Sequence, residues 1–177
     1  RALLLVLALT LASSALAAER TATIHNPNPT DRLNLRKSPS AEAISLGKYY
    51  SGVVVEQLAD AKGGWVKVRV GNLEGYMQTE FLEMGANERP VASAMPAVRI
   101  QNDAGYGLNL RERQSATSKS LGLYANGASV RVLGISETWA HVTTADGKTG
   151  FMLLDRLSPR LQYQYETGEP ADSPDAS

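Results

Sequence analysis

Trp65-Val66-Lys67 and Trp139-Ala140-His141 each set an aromatic ring and a cationic or titratable group two positions apart. Gly75-Tyr76-Met77 and Gly150-Phe151-Met152 follow them and supply a second ring in each case. On a strand, where side chains alternate, Trp and Lys or His share one face. Such a face stacks on sugar rings or peptide groups and attracts charge; it binds rather than breaks bonds. The parts of covalent catalysis are missing. The chain has no cysteine, so no thiol nucleophile. Its two histidines, His25 and His141, are far apart and not flanked by carboxylates at metal-ligand spacing. No Gly-x-Ser-x-Gly elbow or phosphate loop occurs. The expectation is a non-enzyme with no metal and no cofactor.

The elements that carry these faces occur twice. Leu33-Asn34-Leu35-Arg36 returns as Leu108-Asn109-Leu110-Arg111, Leu46-Gly47 as Leu121-Gly122, and Tyr49 as Tyr124. Gly52, Gly75, Met77 and Leu82 return as Gly127, Gly150, Met152 and Leu157, all at the same spacing of 75 positions. A repeat fixes module size before any other argument. Each module holds roughly 60 residues, a size that buries about 60% of its unfolded surface and leaves little room for a catalytic cleft.

Residues 19–83 read as module 1, 84–96 as a proline-interrupted linker and 97–158 as module 2. Residues 1–18 pair an apolar run, Ala2 to Leu11, with the small-residue stretch Ser13 to Ala18, the pattern of a secretory signal peptide. The run is too short to span a bilayer, so export without a membrane span in the mature chain is expected. In 159–177, Leu161 to Tyr165 alternates like an edge strand, and an acidic tail without basic residues follows. Acidic and basic residues balance at 18 each, which offers no field for nucleic acid.

Short strands and turns fill each module. Val70-Gly71-Asn72-Leu73 predicts a two-residue hairpin turn, and Ala145-Asp146-Gly147 a three-residue one. In that register Val68 faces Gly75, Val142 faces Gly150, Lys67 faces Tyr76, and His141 faces Phe151. Val66, Val68 and Val70 point to the core; Trp65, Lys67, Trp139 and His141 point away. Two arrangements satisfy this. Either a long loop, 26–46 or 102–121, covers the outward rings, or they form an open platform. Tyr49, Tyr50 and Tyr124 precede turn glycines and are candidate rim contacts. Asn34 and Asn109 are expected to bond loop backbone. Arg36 and Arg111 fit either a carboxylate clamp or a salt bridge within the module.

Asn34-Leu35-Arg36, Ser38-Pro39-Ser40, Gly52, Gly64-Trp65-Val66-Lys67-Val68 and Gly75-Tyr76-Met77 together resemble the bacterial SH3 (SH3b) module. Module 2 matches at Asn109-Leu110-Arg111, Gly122, Gly127, Trp139, Val142, Gly150 and Phe151. It departs at Gln114, Thr138 and His141, where the family's pattern has Pro, Gly and Lys. The resemblance implies an all-β chain of two tandem SH3-like barrels of five to seven strands each. It also implies an exported protein that contacts cell-wall peptidoglycan, through its stem or cross-bridge peptide. The candidate ligand-binding residues are Trp65, Lys67, Tyr76, Tyr49, Tyr50, Trp139, His141, Phe151 and Tyr124, with module 2 the one expected to lose binding while keeping its fold. The alternative is a cell-surface adaptor for an extended peptide of a partner protein.

Overall fold

The structure is a computed structural model that describes residues 20–28, 31–85 and 95–157. The expected signal peptide, residues 86–94 of the expected linker, and the expected edge strand and acidic tail lie outside the described residues.

The described residues are all-β. Module 1 contributes β1 (Thr21–Ile24), β2 (Leu33–Arg36), β3 (Ser45–Tyr49), β4 (Val54–Gln57), β5 (Trp65–Val70), β6 (Leu73–Gln78) and β7 (Leu82–Met84). Module 2 contributes β8 (Ala97–Arg99), β9 (Leu108–Arg111), β10 (Ser120–Tyr124), β11 (Ser129–Ile135), β12 (Trp139–Thr144) and β13 (Thr149–Leu153). One short 3-10 turn follows β6 and another follows β13.

Alternation decides each strand's faces. β5 buries Val66, Val68 and Val70 and leaves Trp65, Lys67 and Arg69 half-buried on the other side. Its partner β6 puts Gly75 and Met77 inward, in the expected register of Val68 opposite Gly75. β12 and β13 repeat this, with Val142 opposite Gly150. Both glycines are required by close approach. A Cβ on Gly75 would stand 2.7 Å from the Arg36 carbonyl oxygen, and one on Gly150 would stand 2.6 Å from that of Arg111. Each module's core thus closes where β2 or β9 crosses the hairpin.

The expected all-β pair of tandem SH3-like units is present, with "barrel" only a loose description of each. The strands form one open path, β10-β9-β13-β12-β11-β3-β2-β6-β5-β4-β1-β7, with β8 on the side of β11. The two modules are joined by more than a linker. The end of β11 pairs with β3, Gly134 against Tyr49 and Ile135 against Lys48, so one sheet runs through both. β11 is seven residues long and reaches this seam. Its module 1 counterpart, β4, is four residues long and stops at Gln57.

Candidate functional site

In module 1 the outward face of the β5–β6 hairpin is accessible. Trp65, Lys67 and Tyr76 are each half-buried, with Lys67 directly opposite Tyr76. Ionic contacts hold the charged side chains in place. Lys67 Nζ lies 3.0 Å from Glu74, and Arg69 bridges Glu74 and Glu56 at 2.8 Å each. The hydrogen bonds from Arg69 and then Lys67 keep the Glu74 carboxyl below its ordinary pKa. Arg36 pairs with Tyr76 across β2 and β6. Among the described residues it forms no salt bridge within the module: its guanidinium donates to the Ala43 carbonyl at 2.8 Å, and Arg111 does the same to Ser118 at 2.9 Å. Both arginines therefore staple the loop that follows their strand. Asn34 and Asn109 accept from Ser45 and Ser120 hydroxyls at 2.9 and 2.8 Å, side chain to side chain rather than to loop backbone.

The equivalent face of module 2 is covered, though not by a loop of its own. Module 1 covers it. His141 and Phe151 are buried and stack with ring centroids 4.3 Å apart. Tyr49, 1% exposed, meets the imidazole edge-on, and its hydroxyl lies 3.0 Å from His141 Nδ1. Burial drives the His141 pKa down to about 3 and raises that of the Tyr49 phenol, so both stay neutral. His141 Nε2 is buried without a partner and faces Gly71 at the tip of the β5–β6 hairpin. Asn72 of the same tip donates to the Glu112 carbonyl, and Gln114 donates to the Leu46 carbonyl at 3.0 Å.

Four of the expected ligand contacts are corrected by this burial. Tyr49, His141 and Phe151 form the seam between modules. Tyr50 is buried at the end of β3, with the Arg32 guanidinium 5.5 Å from its ring centroid. None of the four presents a ring to solvent. Tyr124 is half-buried, and its hydroxyl donates to Asp146 at 2.8 Å. Hydrogen bonds from Thr144, then Tyr124, with Lys148 nearby, bring the Asp146 carboxyl down to about 2. Trp139 is half-buried in a cleft of about 480 Å³ between the modules, with Ile44 and Lys48 on one wall and Ser136, Glu137 and Thr138 on the other.

The structure therefore separates the candidates. Trp65, Lys67 and Tyr76 share one accessible face, Trp139 lines the inter-module cleft, and Tyr124 sits on the far edge of module 2. Sequence reasoning did not find Gly134, Gly71 and Asn72 as docking residues. A signal did exist for two others: Gln114 and His141 are departures of module 2 from its pattern, and both serve the seam. A lysine in place of His141 would bury an unpaired ammonium. Among the described residues no cluster of three metal-ligating side chains occurs, and no helix is long and apolar enough to cross a membrane.

A doubled, small all-β unit with shallow aromatic and ionic faces defines a tandem module protein. The profile of the bacterial SH3 domain matches residues 31–83 and 107–158, and the chain belongs to that family, with two copies in series. No curated protein matches it. Among solved structures it is similar to NlpC2 from Trichomonas vaginalis, at 15% identity over 79% of this chain and 48% of that one, with a TM-score of 0.37. It is also similar to NlpC1 from the same organism, at 18% identity over 83% and 48%, with a TM-score of 0.38. The chain spans about half the length of either.

Proposed function

We propose that this is an exported, non-catalytic binding protein that contacts cell-wall peptidoglycan through its peptide, with module 1 as the principal contact. The observation that carries this is the different use of one face in the two copies. In module 2 that face is spent on docking; in module 1 Trp65, Lys67 and Tyr76 remain accessible. A half-buried Trp and Tyr provide stacking area at low entropic cost, and Lys67 with Glu74 can pair with either end of a zwitterionic peptide. The face is shallow and its charged groups are already paired, so affinity per site is modest. A polymeric wall compensates by offering many sites. Export follows from the apolar run and small-residue site within residues 1–18.

The test is co-sedimentation of the mature chain with purified sacculi, beside a Trp65→Ala variant whose fold is verified by circular dichroism. The expected result is pelleting of the parent and loss of most pelleting in the variant. Failure of the parent to pellet with sacculi of several chemotypes overturns the proposal and leaves the surface-adaptor reading.

A further inference from the structure

β3 and β10 are the same strand in two copies: Ser45-Leu46-Gly47-Lys48-Tyr49 and Ser120-Leu121-Gly122-Leu123-Tyr124. Each pairs on one side with its own module, β3 with β2 and β10 with β9. Each tyrosine ring lies across the glycine two residues before it. A Cβ on Gly47 would be 3.3 Å from Tyr49 Cε2, and one on Gly122 would be 3.1 Å from Tyr124 Cε2. The other sides differ. The second edge of β3 carries β11, antiparallel, with Gly134 opposite Tyr49, Ile135 opposite Lys48, and the Tyr50 amide donating to the Leu133 carbonyl at 3.0 Å. The second edge of β10 ends the sheet among the described residues.

The chain thus contains its own example of what this edge accepts. Gly134 passes directly over the tyrosine ring: a Cβ there would stand 2.7 Å from Tyr49 Cδ1 and 2.9 Å from the Lys48 carbonyl oxygen. Aromatic cover of an unsubstituted backbone is a known way to stabilise glycine in a sheet. Side chains at the open edge also run against ordinary edge protection. Exposed edge strands are usually guarded by lysine. Here the covered strand has Lys48, and the open one has Leu123, 69% exposed. Tyr124 is anchored in position by its bond to Asp146.

We propose that β10 is a docking edge for an extended strand of another protein, added antiparallel, with a glycine over Tyr124 and an aliphatic residue opposite Leu123. The matching segment of a second copy is not that partner, because its own Leu133-Gly134-Ile135 is engaged on its own β3. Main-chain hydrogen bonds supply the affinity of such strand addition, and the glycine supplies the selectivity. The proposal is independent of wall binding.

The experiment is a titration of the isotope-labelled chain with a synthetic peptide copying residues 130–136, Val-Arg-Val-Leu-Gly-Ile-Ser, and with an analogue that has valine for its glycine. The expected result is saturable amide shifts at Leu123, Tyr124 and Ala125, slowed hydrogen exchange there, and roughly tenfold weaker binding of the valine analogue. Three results overturn the proposal: no shifts at millimolar peptide, shifts confined to Tyr49 and Tyr50, or equal binding of the two peptides.

Discussion

The Tyr49 hydroxyl lies 3.0 Å from His141 Nδ1, and this contact between two buried, neutral side chains joins the modules. Among the described residues Tyr49 is the only titratable group bonded to the imidazole, which Phe151 and Gly71 also cover.

That geometry makes stability depend on pH in a defined direction. His141 titrates at about 3 when folded, against an ordinary value of 6.5. Between these values the unfolded chain takes up a proton that the folded chain refuses. Stability is therefore complete above about pH 6.5 and falls as pH drops toward 3. From pH 7 to pH 5 the expected loss is about 2 kcal/mol. Urea denaturation at the two pH values measures it, and in His141→Phe most of the difference should vanish.

Gly134→Val tests the seam itself. Any β-carbon there meets the Tyr49 ring and the Lys48 carbonyl. Overpacking of this kind costs about 1–3 kcal/mol, here charged to docking rather than to either core. Small-angle scattering should report a larger radius of gyration, while circular dichroism keeps the strand signal. An unchanged radius would show that the strands part and repack without separating the modules.

Gly75→Ala and Gly150→Ala strike the cores instead. Each new methyl would lie within 2.7 Å of a backbone oxygen, which has no rotamer to escape into. A loss of about 1–3 kcal/mol is expected for each, read from thermal or chemical unfolding.

Ser45→Ala and Ser120→Ala remove equivalent bonds, to Asn34 and to Asn109. Both sites are exposed, so each should cost about 0.5–1 kcal/mol. Being in separate modules, their costs should add in the double variant. A clear excess over the sum in urea titrations would mean that the two loops communicate through the seam.

Much of the local architecture is legible in the chain because it is set by short-range rules. Val66, Val68 and Val70 alternate with outward residues, and Gly71-Asn72 allows a two-residue turn, so the pairing of Val68 with Gly75 follows. Insertion of one residue at Ala145-Asp146-Gly147 preserves the same pairing in module 2. The seam follows no such rule. Tyr49 precedes a turn in the same way as Tyr124, yet one is buried and the other sits on an edge. The difference arises from residues far along the chain, His141 at 92 positions away and, beyond it, Phe151. Gln114 and His141 look like decay of a binding pattern when module 2 is considered alone. Beside Leu46 and Tyr49 they are what makes the two modules one body.

The unequal lengths of β4 and β11 limit how far such docking can spread. A contact between two unlike surfaces, repeated from molecule to molecule, has no natural end and builds a fibre. Here the strand that reaches across exists only in the second copy of the repeat. In the first, β4 stops at Gln57, and Leu58-Ala59-Asp60 continues without a strand. Among the described residues the step is therefore taken once, from module 2 onto module 1, and the first copy has no strand with which to repeat it.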